Sequence, residues 1–195
     1  VHRRFTRFPD SALDRPIIEH LERVVGRHRA GIAIRDADTV ITFGELWGGL
    51  SGLSEALAAE TRPGELVGIL LPACPIFPVA ILACLAAGRP FVVLDPHWPT
   101  DWLHHVLRDA RPSLVIALED GHASLAARVI HLTDLPQAAR QSWRPASMAV
   151  DEPACVLFTS GSRGRPKSIV NSQRNLLQRV AQATNAAHIN SADRF

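Results

Sequence analysis

Residues 65–95 read "ELVGILLPACPIFPVAILACLAAGRPFVVLD", and this stretch decides the fold class. Its first part, "ELVGILLP", is apolar with almost no polar alternation. Such a strand belongs in a sheet covered on both faces. "PIFPVAILACLAAG" then predicts a helix closed by Gly88, and "PFVVLD" the next strand. The apolar run 66–88 is long enough to raise a membrane span. Its three prolines, Pro72, Pro75 and Pro78, instead divide it into a strand, a break and a helix.

Working outward, "TDWLHHVLRDA" (100–110) predicts a helix, "SLVIAL" (113–118) a third strand and "ARVIHL" (127–132) a fourth. Strands alternating with helices at this spacing imply α/β crossovers. The expected fold class is therefore α/β, a layered, largely parallel sheet with flanking helices. Upstream, Ile17, Ile18, Leu21, Val24 and Val25 share one side of a helix over Pro16–Val25. "GIAIRD" and "TVIT" read as a hairpin around Asp36–Asp38, and Thr42 with Glu45 forms a capping-box pattern before the helix "LWGGLSGLSEALA". Downstream, a looser segment (133–153) leads to the strand "ACVLFT" (154–159), a glycine-rich loop, "SIVNS" and a helix from Gln173 to Ala187. In that helix Leu176, Leu177, Val180 and Ala181 are expected to face inward. The chain divides into a sheet-and-helix region, 1–150, and a region of strand, loop and helix, 151–195.

The 195 residues carry a net charge of +2, 47% hydrophobic residues and no tyrosine. Cations and anions are interspersed, so no nucleic-acid surface is expected. The basic start "VHRRFTR" reads as a solvated terminus. Cys74, Cys84 and Cys155 lie in apolar surroundings without metal spacing, which implies reduced thiols. No signal peptide is recognisable, and the expected location is cytoplasmic, with no membrane partner. His104 and His105 are adjacent, whereas a helical metal pair needs i,i+4 spacing, so no metal ligands are assigned. Asp95-Pro96 reads as a rigid turn, and the scattered tryptophans Trp47, Trp98, Trp102 and Trp143 as packing residues.

The loop stretch, "LFTSGSRGRPKSI" (157–169), holds the only lysine of the chain, Lys167. Gly161 and Gly164 permit backbone conformations closed to other residues and a close approach to an anion. Successive amides in such a turn can converge on oxygen atoms. Thr159, Ser160 and Ser162 add hydroxyl donors, and Arg163, Arg165 and Lys167 place three cations within five residues. A solvated serine- and glycine-rich surface loop is the alternative. The position directly after an apolar strand favours a ligand site. Gly161 and Lys167-Ser168 match the spacing of G-x-x-x-x-G-K-[ST]. Pro166 stands where the second glycine must donate an N–H, and a strand replaces the required helix, so a P-loop NTPase is rejected.

The same stretch resembles the phosphate-loop signature of the AMP-forming adenylating enzymes, [YF]-T-S-G-[ST]-T-G-x-P-K-G. That family comprises acyl-CoA synthetases, luciferases and the adenylation domains of non-ribosomal peptide synthetases. Further blocks resemble it in family order: "ITFGELWGGLSGLSEALA" (41–58), "LACLAAGRPFVVLDPHWP" (82–99), "DWLHHVLRDARPSLVI" (101–116), "NSQRNLLQRV" (171–180) and "SADRF" (191–195). Four positions depart from the pattern: Phe43 for tyrosine, Trp102 for arginine, Arg163 for threonine and Ser168 for glycine.

The resemblance implies that Thr159, Ser160, Gly161, Ser162, Arg163, Gly164 and Lys167 grip the β- and γ-phosphates of ATP, with Lys167 catalytic and Mg²⁺ as cofactor. It implies a small carboxylic or amino acid substrate, activated as an acyl-adenylate, and transfer to a carrier-protein phosphopantetheine or CoA thiol. The family's adenine and substrate pockets, ribose aspartate, Mg²⁺-linked glutamate and C-terminal lysine have no counterpart in these residues. The remainder of an adenylation domain is accordingly expected as a partner, in the same or another polypeptide. The alternative is a catalytically degenerate homologue serving as an interaction or scaffold module.

Overall fold

The computed structural model describes residues 5–118, 128–132, 136–139, 142–159, 167–190 and 193. The decisive stretch folds as expected: strand β3 (Val67–Leu70), helix α3 (Ile76–Ala86) and strand β4 (Phe91–Leu94). Gly88, at φ +70°, takes the left-handed conformation just beyond the helix end, where glycine avoids a Cβ clash. Helix α4 (Thr100–Ala110), β5 (Leu114–Ala117) and β6 (Arg128–His131) follow, then β7 (Pro153–Thr159), β8 (Lys167–Ser172) and α5 (Gln173–Ala186). The six strands form one sheet in the order β6-β5-β3-β4-β7-β8. Every pairing is parallel except β7 with β8, which is antiparallel at the edge. Residues 151–159 and 167–172 thus continue the sheet built by the preceding region.

Ahead of the sheet lie a 3₁₀ turn (Asp10–Asp14), α1 (Ile17–His28), the antiparallel pair β1 (Ile32–Arg35) and β2 (Val40–Thr42), and α2 (Phe43–Glu60). The capping box forms: the Thr42 Oγ1 accepts from the Glu45 N–H at 3.2 Å, and the Glu45 carboxylate accepts from the Thr42 N–H at 2.8 Å. Both faces of the central strands β3, β4 and β5 are covered, which explains their unbroken apolar sequences, whereas Leu157, Ile169 and Val170 at the β7–β8 edge are exposed. On one face Val67, Ile69, Leu114 and Ile116 pack with Ile18 of α1, with Leu46, Leu50, Leu53 and Leu57 of α2, and with Val79, Ala80 and Ala83 of α3. On the other face Leu70, Val92, Leu94, Val115 and Ala117 pack with Leu103 and Val106 of α4.

Two expected core residues come out exposed. Val24 is about 100° around the helix from Val25. Val25 is buried, while Val24 lies on the rim, 37% exposed. Val180 is 50% exposed, although Gln173, Leu176 and Leu177 before it and Ala181 and Asn185 after it on α5 are buried or half-buried. The three cysteines are free thiols, Cys84 and Cys155 buried and Cys74 half-buried. Among the described residues no helix is long and apolar enough to cross a membrane.

Trp47 and Trp143 meet edge-on at 5.7 Å, pinning the segment before β7 to α2, and Trp98 meets Trp102 edge-on at 6.4 Å. In α4 the ring of half-buried His105 pairs with Asp109 at 3.3 Å, and His104 is exposed.

Candidate functional site

Strand β7 begins inside the sheet and ends outside it. Its ladder with β4 holds two pairs, Phe91 with Cys155 and Val92 with Val156. Beyond Val156 its partner is β8 alone, whose ladder runs out to the pair Thr159–Lys167. The residues at both ends of the glycine-rich loop are therefore brought face to face. The Thr159 hydroxyl donates to the Lys167 carbonyl at 3.5 Å, and both residues are exposed. Ser160, Gly161, Ser162, Arg163 and Gly164 lie outside the described residues. The Thr159 end of β7 is on the carboxyl side of the parallel strands, the side on which α/β sheets receive ligands.

On the same side, Asp95 follows β4. Its carboxylate accepts from the His97 N–H at 2.8 Å and is 3.0 Å from the His97 ring Nδ1. The bond from the His97 backbone, supported by the ring, holds the Asp95 carboxyl below its usual value. This is the expected turn, fastened by the aspartate itself. Among the described residues no group of three or more His, Cys, Asp or Glu side chains is placed to hold a metal ion.

The hairpin is fastened at its base by residues that periodicity does not single out. Ser172 caps α5 with a second capping box, accepting from the Asn175 N–H at 3.3 Å while its own N–H donates to the Asn175 side chain at 2.9 Å. The Ser-x-x-Asn pattern was a legible signal for this cap. Gln173, only 1% exposed, accepts from the Ile17 N–H at 3.0 Å. The Arg174 guanidinium donates to both Asp151 oxygens, at 2.7 and 3.2 Å, and to Asp14 at 2.6 Å. The Asp151 bond, then that of Asp14, pushes the guanidinium above its usual value, and Arg174 in turn lowers Asp151. A glutamine buried one residue beyond a cap, and an arginine held by aspartates 23 and 160 residues away, carry no local sequence signal.

The fold and the hairpin define an α/β protein that carries Thr159 and Lys167, paired, at the carboxyl ends of a parallel sheet. A sequence profile described as "AMP-binding enzyme" matches residues 21–195, and the chain belongs to that family. It is 36% identical over 126 residues to the nonribosomal peptide synthase roqA of Penicillium rubens, covering 62% of this chain and 5% of that protein. It is 30% identical over 187 residues to an isonitrile lipopeptide synthase of Streptomyces coeruleorubidus, covering 92% of this chain and 13% of that protein. The chain thus spans a small part of the length of both relatives. In three dimensions it resembles the fatty acid AMP ligase of Legionella pneumophila, with a TM-score of 0.83, 21% identity, and coverage of 95% of this chain and 35% of that one.

Proposed function

We propose that this region is the phosphate-gripping part of an ATP-dependent ligase that activates a carboxylic acid, of the amino-acid class, as an acyl-adenylate. The observation that carries the reading is the pairing of Thr159 with Lys167 as the last rung of a hairpin on the carboxyl side of the parallel sheet. This rung brings together the two residues that flank 160–166 and places the only lysine of the chain beside Thr159. Membership of the AMP-binding family and the likeness to peptide synthases support it.

In the proposed reaction a carboxylate oxygen attacks the α-phosphorus of ATP. The bond from that phosphorus to the bridging oxygen breaks, and pyrophosphate leaves with the electron pair. Negative charge grows on the β- and γ-phosphate oxygens as they depart. Lys167, the Thr159, Ser160 and Ser162 hydroxyls and the amides of Gly161 and Gly164 act on that charge, by position and electrostatics alone. Arg163 and Arg165 add to the cationic field. Mg²⁺ would travel on the phosphates, and no protein ligand is assigned to it. The acyl group then passes to a carrier phosphopantetheine or CoA thiol, with AMP leaving.

The test is carboxylate-dependent exchange of pyrophosphate into ATP by the intact protein, across amino, aryl and fatty acids. Losing one charge-assisted contact of roughly 1.5–3 kcal/mol predicts that Lys167→Ala raises the KM for ATP by about 10- to 100-fold. Unchanged nucleotide affinity and turnover in this variant would remove the assigned role. Arg163, a long cation in place of a short hydroxyl, favours a second reading, a degenerate homologue that acts as an interaction module. Absence of exchange with every acid would select it.

A further inference from the structure

The β7–β8 hairpin is a lever. Its base is the pair Pro153–Ser172 and its tip the pair Thr159–Lys167. Six residue steps at about 3.4 Å put the tip roughly 20 Å from the base. A pivot of about 10° at the base would move the tip by about 3.5 Å. The sheet restrains this pivot weakly, since β7 is joined to β4 through two residue pairs only.

What restrains the base is a strap from the start of the chain. The segment Phe8–Ile17 is tied to α5 at three points. Asn185 exchanges two hydrogen bonds with the Phe8 backbone, accepting at 2.8 Å and donating at 3.2 Å. Gln173 accepts from the Ile17 N–H, and Arg174 donates to Asp14 and, at 3.5 Å, to the Leu13 carbonyl. Arg174 also reaches the other leg of the hairpin. Its fork holds Asp151, two residues before β7, and its own N–H donates to the Val150 carbonyl at 2.8 Å. One guanidinium therefore joins the segment entering β7, the helix leaving β8 and the strap.

We propose that Arg174 and Asp14 are positioning residues that fix the tilt of the β7–β8 hairpin and so the placement of Thr159 and Lys167 against a nucleotide. The inference rests on the phosphate-gripping reading of the hairpin. The pairs are partly exposed, with 30% of the Arg174 side chain and 71% of each aspartate open to solvent. Exposed ion pairs contribute little to global stability. Their effect on the tip is different, because a misplacement of about 1 Å at a reacting group can cost a hundredfold in rate.

The experiment compares the intact protein with Asp14→Asn, Asp14→Glu and Arg174→Lys, the last keeping the charge but losing the fork. Three quantities are read: the melting temperature, amide exchange across 153–159 and 167–172, and the KM for ATP in pyrophosphate exchange. For Asp14→Asn and Arg174→Lys the expected result is exchange at least fivefold faster in β8 and a three- to tenfold higher KM for ATP. The melting temperature should stay within about 2 °C, β3 and β5 should keep their protection, and Asp14→Glu should restore most of the effect. Unchanged β8 exchange in both variants overturns the proposal. A uniform rise in exchange with a lower melting temperature also overturns it, in favour of a merely structural role. Faster β8 exchange with an unchanged KM for ATP sustains the positioning role and instead refutes the phosphate-gripping reading.

Discussion

Arg89 lies between α3 and β4 and is 4% exposed. Its Nε donates to the Thr61 hydroxyl at 2.8 Å, one terminal nitrogen to the Thr61 carbonyl at 2.6 Å and the other to the Ala87 carbonyl. Burial pulls the guanidinium below its usual pKa, while nearby Glu65 acts in the opposite direction. Consider Arg89→Met, which keeps an apolar stem and removes the donors. The Thr61 hydroxyl still donates to the Leu57 carbonyl at 2.6 Å, so it remains bonded. The Thr61 and Ala87 carbonyls each lose this partner, at about 1–3 kcal/mol apiece. Relief of the guanidinium's desolvation offsets part of that. Replacing a buried ion pair by apolar residues can be neutral. Here the partners are main-chain carbonyls, which no substitution removes.

The net expectation is a loss of about 2–4 kcal/mol, or roughly 4–16 °C in melting temperature for a chain of this size. Thr61→Val, which deletes one acceptor and one donor, should cost about 1–2 kcal/mol. Urea unfolding of both variants and of the double variant measures the two losses and their coupling. A loss below about 0.5 kcal/mol for Arg89→Met, or strict additivity with Thr61→Val, would refute the account of Arg89 as a hydrogen-bonded clamp.

Three further outcomes are expected. Burial pushes the Cys84 and Cys155 thiols up in pKa, whereas Cys74 is half-buried, so a native-state alkylation at neutral pH should modify Cys74 alone; two or three equally fast thiols would contradict the packing. Glu45, Asp95 and Asp151 are held below their usual pKa by Thr42, His97 and Arg174. Depressed carboxylates contribute stability that is complete above the unfolded pKa and lost as pH falls through the folded one. The urea midpoint should therefore decline below about pH 4, and Glu45→Gln with Asp151→Asn should flatten that decline; an unaltered acid limb would count against both bonds. A Cβ on Gly52 would strike the Gln137 carbonyl where residues 136–139 lie on α2, so Gly52→Ala should cost about 1–3 kcal/mol. Denaturant midpoints decide it, and a neutral result would mean that this segment lies elsewhere.

The elements read most directly from sequence are those whose signals are local. The stretch 65–95 yields β3, α3, Gly88 and β4 in order, because apolar runs, prolines and a left-handed glycine act within a few residues. The Thr42 capping box is legible for the same reason. Thr159 and Lys167 were identified from the residues around them, and the strand after Lys167 from "SIVNS", but not that the two would form the closing rung of one ladder. Arg89 shows the converse. In sequence it is one arginine among twenty, and its burial depends on Thr61, 28 residues earlier. Val24 and Val180 mark the limit of periodicity, which defines a helix face but not how much of that face a neighbour covers.

By itself, the order of apolar runs and turn residues determined the α/β class, the crossover pattern and the place of the cationic loop after a buried strand. These follow from backbone preferences and burial acting over one or two turns of chain. Tertiary structure alone decided the strand order, the thin attachment of β7 to β4, and the junction of Asp14, Asp151 and Arg174 at the base of the hairpin. The reason is physical: a hydrogen bond between side chains 160 positions apart leaves no periodic trace, and becomes visible only when folding brings its donors and acceptors together.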